Sequence, residues 1–245
     1  MDKFRVNPVP VIIPNYHKNV NATFLFFEKC FIGNKMKKGV IWEAYMHRVF
    51  EKYLDENSVA IDAGAFVGTH TVKLSKVCKK VYAFEPFLPS YSLLNKNIKI
   101  NKCDNVVLSS CGLSDKIGKT TFEWNRANNL GASALKGNDM DFFEVKKGDG
   151  ASLNAVRLIS IDSLGLEKLD FIKIDVEGYE TKVIDGALNT IQKFKPLITC
   201  ECYSEDGHTP SDELIASKFK KILDLGYRYD RLEHHTDLLF LPEKR

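Results

Sequence analysis

The stretch Val59-Ala60-Ile61-Asp62-Ala63-Gly64-Ala65-Phe66-Val67-Gly68-Thr69-His70 constrains the fold of this chain more than any other. A short apolar run ends in an acid, bends at a glycine and opens into helical spacing. That order predicts a buried strand, a tight turn and a helix, and it draws backbone N–H groups and a helix N-terminus to one point. Gly64 lets the backbone approach a ligand where a Cβ would clash, and Gly68 lets the first helical turn pack closely. Asp62 can accept hydrogen bonds from a ligand ammonium or, through water, from hydroxyls. The dinucleotide fingerprint G-x-G-x-x-G is not met, because Gly64 and Gly68 stand four apart.

The same grammar repeats along the chain. Val81-Tyr82-Ala83-Phe84 closes on Glu85-Pro86, and Leu169-Asp170-Phe171-Ile172-Lys173-Ile174 closes on Asp175-Val176-Glu177-Gly178. Leu197-Ile198-Thr199-Cys200 closes on Glu201, and Val106 to Ser110 reads as a further strand. Helical spacing lies over residues 41–54, 68–78, 90–100, 179–194 and 211–225, and residues 228–232 and 238–241 close the sheet. Alternating strands and helices predict an α/β fold with a doubly wound, mostly parallel sheet. Thr120 to Trp124 reads as a short extra strand, and Asn125 to Gly150 as a long polar loop. Residues 1–40 are proline-dotted and irregular apart from a strand over residues 21–29. They are set apart as an extension or lid, and residues 41–245 form the main domain. The helix over residues 41–54 is expected to lie across the site, with Trp42 and Glu43 closing it.

Four strands in this reading end in carboxylates: Asp62, Glu85, Asp175 and Glu201. Ligands of such sheets sit outside the strand carboxyl ends, where the strand order switches. Like charges crowded at one rim repel, so the arrangement points to a site rather than a scaffold. Glu85 follows Asp62 at roughly the twenty-residue spacing that brings a second-strand acid to a ribose diol. Together, Asp62, Gly64 and Glu85 predict a nucleoside-type ligand.

Charge excludes some partners. With 35 basic against 32 acidic residues, the net charge of +3 gives no basic face for nucleic acid, and no Asn/Asp-Pro-Pro-Tyr signature is present. The six cysteines show neither zinc spacing nor a disulfide framework, which suits a reducing compartment. Without a signal-peptide pattern or a membrane-length apolar run of ~18 residues, a cytoplasmic location and no membrane span are expected.

The motifs Ile61-Asp62-Ala63-Gly64-Ala65, Ala83-Phe84-Glu85-Pro86, Leu113-Ser114-Asp115, Ile161-Asp162-Ser163-Leu164 and Asp170 to Gly178 resemble the FkbM-type S-adenosylmethionine-dependent methyltransferases. The resemblance covers about residues 41–203, and Asp170 to Gly178 is its most specific part. It implies a seven-stranded class I methyltransferase fold and O-methylation of hydroxyls on sugars or polyketides. It also implies S-adenosylmethionine as cofactor, with Asp62 and Gly64 near the methionine part, Glu85 on the ribose, and Ser114 or Asp115 by the adenine. The turn residues Ala65, Phe66, Gly68 and Thr69, with Pro86, Asp175 and Glu43, complete the expected cofactor site. Phe66 and His70 depart from the family pattern, which often has a small polar residue at the first position and a hydroxyl or aromatic residue at the second.

Methyl transfer to oxygen is an in-line displacement in which the protein aligns the acceptor hydroxyl and takes its proton. Asp175 is the first candidate for that role. With Glu201 it is also a candidate holder of a divalent cation, magnesium or manganese. His208 and His70 are alternative bases because histidine titrates near neutrality. Glu177 is expected either to cap the helix after Gly178 or to touch substrate. A sugar or glycan is the expected acceptor, supported by the polar Asn125 to Ser133 loop and by Trp124 as a stacking surface. A polyketide acceptor and a catalytically silent cofactor-binding module are the alternatives.

Overall fold

The computed structural model describes residues 10–28, 30–123, 134–135, 154–204, 209–233 and 236–243. The N-terminal segment forms a hairpin, β1 (Val11–His17) and β2 (Val20–Phe24), and a short helix, α1 (Phe31–Met36). Next come α2 (Ala44–Tyr53), β3 (Val59–Ala63), α3 (Thr69–Val77), β4 (Lys80–Phe84), α4 (Leu88–Ile100) and β5 (Val106–Ser109). β6 (Gly112–Leu113), β7 (Gly118–Glu123), β8 (Ala134–Leu135) and β9 (Asn154–Ile159) follow. Then come β10 (Phe171–Ile174), α5 (Glu180–Asp185), α6 (Leu188–Phe194) and β11 (Leu197–Glu201). The chain ends with α7 (Asp212–Lys218), α8 (Lys220–Asp224), β12 (Tyr227–Arg231) and β13 (Asp237–Pro242).

The main sheet has seven strands in the order β12-β13-β11-β10-β3-β4-β5. β13 runs antiparallel to β11 and β12, and the pairings from β11 through β5 are parallel. This is the doubly wound sheet expected from the sequence. Every residue of β3 and β10 is buried, as central parallel strands covered on both faces must be. The order switches between β3 and β10, so the crevice that such a sheet offers a ligand lies above these two strands.

Several elements depart from the sequence expectation. β7 and β9 belong to a second, four-stranded sheet in the order β6-β9-β7-β8. The helix expected over residues 179–194 is two helices, α5 and α6, and at Gly186 between them a Cβ would lie 2.0 Å from the Ser114 carbonyl oxygen. Asp162 then caps α6 from outside it, accepting from the Thr190 amide at 2.8 Å and the Thr190 hydroxyl at 2.6 Å. Residues 11–17, read as irregular, form β1. Its pairing with β2 shifts register between Ile13 and His17, and this irregularity accommodates Pro14.

The N-terminal segment shares its core with the main sheet. Ile13, Tyr16, Phe24, Phe26 and Phe27 pack with Val67 and Val72 near α3 and with Leu93 and Leu94 of α4. Asn97 and Asn101, four apart on one face of α4, bind β2 and the residue after it through their amides. Asn97 accepts from the Leu25 N–H at 2.7 Å and donates to the Leu25 carbonyl at 3.0 Å. Asn101 does the same for Thr23, at 2.9 and 2.7 Å.

Candidate active site

A cavity of about 300 Å³ opens above the β3/β10 switch. Its carboxylates are Glu43, Glu85, Asp175, Glu177 and Glu201, and its apolar wall includes Phe31, Ile32, Trp42 and Phe66. Of the expected cofactor residues, Gly64, Phe66, Glu85, Pro86, Asp175 and Glu43 line it. Asp62, Ala65, Gly68, Thr69, Ser114 and Asp115 do not; the neighbours Gly112 and Leu113 take the place expected for the last two. His208, Trp124 and the Asn125 to Ser133 loop lie outside the described residues.

The turn after β3 is a bracket more than an amide cradle. The N–H groups of Gly64 and Ala65 both reach the Phe84 carbonyl at 3.0 Å, and that of Gly68 reaches Ala65 at 2.8 Å. Gly64 is required by the protein itself. At φ +82 a Cβ there would lie 1.7 Å from the Asp175 carbonyl oxygen, so the neighbouring strand tip already demands glycine at this point of the cavity lining. Glu85 closes the bracket. Its two oxygens accept from the Phe66 and Phe87 amides, each at 2.8 Å. Phe66 holds this position at φ +50, an uncommon conformation for a bulky residue.

Asp62 is fully buried beneath the cavity floor. One oxygen accepts from the Thr71 hydroxyl at 2.6 Å; the other has no hydrogen-bond partner among the described residues. Lys173, its register partner on β10, places a buried ammonium 3.7 Å from Asp62 and 2.9 Å from Asp175. Burial pulls this lysine's pKa down, but Asp175, Asp62 and Glu43 outweigh it and hold the group well above its ordinary value. The ammonium sits against Asp175 where a metal had been a candidate. Among the described residues no group of three or more His, Cys, Asp or Glu side chains is arranged to hold a metal ion.

Three of the lining carboxyls have raised pKa values. Burial lifts Glu85 to about 7 against the pull of its two amide donors, with Asp62 and Asp175 adding repulsion. Burial and the nearby Asp175 lift Glu177 to about 7. Burial and Asp175 lift Glu201 to about 8, although the Tyr203 hydroxyl donates to it at 2.6 Å. Glu177 does not cap the next helix: the Gly178 amide donates to Glu180 instead, at 2.8 Å.

His70 is buried and does not line the cavity. Its Nε2 lies 2.8 Å from Glu43 Oε2, so it reaches the site only through that carboxylate. Sequence reasoning missed Ser90, Phe31, Ile32, Phe87 and Tyr203, all of which line the cavity. Ser90 carries a signal that only the fold reveals. It is 1% exposed, and its hydroxyl has no partner among the described residues.

Comparison with known proteins places this architecture. The family model described as the methyltransferase FkbM domain matches residues 62–229, more than half of the chain. Methyltransferase sdnD of Sordaria araneosa is 24% identical over 188 residues, which are 66% of this chain and 73% of that protein. Hexuronic acid methyltransferase AglP of Haloferax volcanii is 28% identical over 147 residues, and the match spans 59% of this chain and 56% of that one. The crystal structure of methyltransferase FkbM from Methylobacillus flagellatus KT has the same fold, with a TM-score of 0.52 at 14% identity. The superposition covers 85% of this chain and 52% of that chain. The chain belongs to the FkbM methyltransferase domain family.

Proposed function

We propose that this chain transfers a methyl group from S-adenosylmethionine to a hydroxyl of a sugar or glycan. One observation carries the cofactor assignment. Carboxyls ring a cavity at the sheet's switch point, and burial and mutual repulsion leave three of them poorly disposed to ionise. A cationic ligand relieves that repulsion, and S-adenosylmethionine carries both a sulfonium and an ammonium. The residues present suit the rest of the molecule: Glu85 for the ribose hydroxyls, and the Ser90 hydroxyl of the same cavity, unpartnered among the described residues, for a further polar group. The bound cofactor supplies an electrophilic methyl group.

The chain's own work is to hold the acceptor and receive its proton. Lys173 fixes the Asp175 carboxylate, and Asp175 orients the acceptor hydroxyl. Glu201, with a proton affinity matched to neutral pH, is the group suited to take the proton. His70 steadies Glu43, and the N-terminal extension, residues 1–40, brings Phe31 and Ile32 to the acceptor side of the main domain, residues 41–245. A metal is not needed in this scheme. The relation to a hexuronic acid methyltransferase supports a sugar acceptor; the apolar Phe31, Ile32 and Trp42 also admit a natural-product hydroxyl, the alternative. No described helix is long and apolar enough to cross a membrane. The cytoplasm is the proposed location, on six cysteines that are all free.

Calorimetry in two buffers of different ionisation enthalpy tests the cofactor reading through its proton linkage. Glu85, Glu177 and Glu201 have folded pKa values raised from 4.5. Their contribution to stability is therefore full below about pH 4.5 and is lost as pH rises through 7 to 8. A cation favours the ionised forms, so binding should release protons between pH 6 and 8 and tighten as pH rises. The free protein's melting temperature should fall over the same range while the increment given by the cofactor grows. Absence of binding, or binding without proton release, would overturn the assignment.

A further inference from the structure

We infer that the acceptor carries no acidic group beside the hydroxyl that is methylated: the site takes an uncharged or amino-bearing sugar and rejects a uronate or phosphorylated one. This inference rests on the sugar-methylation reading above and narrows it.

The first observation is the charge of the lining. Among the described residues the cavity has five carboxylates and no lysine, arginine or histidine. Sites that accept a carboxylate or phosphate place arginine, lysine or a cluster of free amides against it. Lys173 is buried below the floor and engaged with Asp175 and Asp62, and Lys35, which is not part of the lining, holds its ammonium over the Phe31 ring, 5.5 Å from the centroid. The turn amides of Gly64, Ala65 and Phe66 are also engaged, with Phe84 and Glu85. The cofactor brings two positive charges and one negative, a net of one, against the several carboxylates. An anionic acceptor would enter a pocket that stays negative after the cofactor is bound, and no described lining residue is a cation that would pair with it.

The second observation is independent of charge. Phe31 and Trp42 line the same cavity and meet edge to face, with ring centroids 5.9 Å apart. Phe31 is 50% exposed, so its ring is presented to the opening instead of being spent on the core, with the Lys35 ammonium over one face. Gly33 makes this placement possible: a Cβ there would lie 2.7 Å from the Phe26 ring, so only glycine lets α1 settle on Phe26 with Phe31 at the mouth. An aromatic face offers dispersion to the C–H face of a pyranose and gives nothing to an anion, because its own face is electron-rich. Carboxylates opposite such a surface accept hydrogen bonds from hydroxyls and attract ammonium groups. In this respect the chain differs in expectation from its relative whose name specifies a hexuronic acid.

Matched acceptors test the inference on the 245-residue chain. Methyl glycosides of glucose, galactose and mannose, their uronates and their 2-amino counterparts are presented to protein saturated with S-adenosylhomocysteine. Binding is read by saturation-transfer NMR, and turnover with S-adenosylmethionine by labelled methyl. Neutral and amino sugars are expected to bind and to be methylated at least about 10-fold more efficiently than the matching uronates. Phe31→Ala, at an exposed position, should raise the acceptor KM several-fold and leave cofactor affinity unchanged. Glu177→Gln should narrow the gap between uronate and neutral sugar. Uronates that bind or react as well as their neutral partners would overturn this inference alone. Binding by none of the glycosides would overturn it together with the sugar reading, while cofactor binding by calorimetry would still stand.

Discussion

On one side of the cavity, functional side chains project from the tips of β4, β10 and β11. On the other, Phe31 and Ile32 come from a six-residue helix after a hairpin tied to α4 by Asn97 and Asn101. The first side is fixed by ladder register: Lys173 faces Asp62 because β10 pairs with β3 at those positions. The second is fixed by side-chain amides that imitate strand pairing along a helix. A sheet tip places charge rigidly for chemistry common to many acceptors. A wall hung from a helix surface lies outside the sheet's ladder, and in the proposed reading this is where acceptor preference is tuned.

The largest effect should come from breaking the sheet side. Lys173→Met keeps the side chain's length and removes the only cation paired with fully buried Asp62 among the described residues. An uncompensated buried carboxylate costs about 3–5 kcal/mol, which urea unfolding would register. A loss below about 1 kcal/mol would mean that water or rearrangement serves Asp62 instead.

Asp175→Asn is the next test, and it separates chemistry from binding. The variant keeps the shape and loses the charge that the Lys173 ammonium meets at 2.9 Å. Turnover should fall about 100-fold or more, with cofactor affinity changed by less than about threefold. Near-normal turnover would move the decisive role to Glu201.

The two sides were also unequally legible in the sequence. The strand tips could be read because an apolar run followed by Asp62-Ala63-Gly64, Glu85-Pro86 or Asp175-Val176-Glu177-Gly178 states both the element and its polarity. What could not be read was which carboxylate faces solvent. Asp62 sits one residue before the end of β3 and is buried, while Glu85, Asp175 and Glu201 line the cavity. Asp162, within one of the motifs of the family resemblance, turned out to cap α6 across a long sequence separation that no local pattern signals. The N-terminal strand was hidden by Pro14, because proline normally argues against a ladder and only the register shift of the hairpin admits it. Phe31 looked like any aromatic residue. Its place at the cavity depends on Gly33 meeting Phe26, a contact decided by tertiary packing.

Loosening the acceptor side should give a smaller loss of a different kind. Asn101→Ala removes both hydrogen bonds to Thr23 and should cost about 1–2 kcal/mol. Because α1 follows β2, the acceptor KM should rise several-fold while cofactor affinity holds. An equal loss of cofactor affinity would show that the two sides are one mechanical unit.

Ser90→Ala gives the smallest effect and the most diagnostic sign. In the free protein the Ser90 hydroxyl is buried at the cavity wall without a partner among the described residues. An unsatisfied buried hydroxyl is a cost, so replacing it with a methyl should leave the free protein as stable as before or slightly more stable. If the hydroxyl is completed by the cofactor, the variant must lose that bond on binding, and affinity should weaken by about 0.5–1.5 kcal/mol, a few-fold to about tenfold. The two measurements thus move in opposite directions, which a packing role does not produce: loss of packing would destabilise the free protein and leave the binding increment alone. Melting curves with and without S-adenosylmethionine read both at once. A destabilised free protein with an unchanged ligand shift would assign Ser90 to the scaffold of α4, and would leave Glu85 and the strand tips as the cofactor's polar contacts.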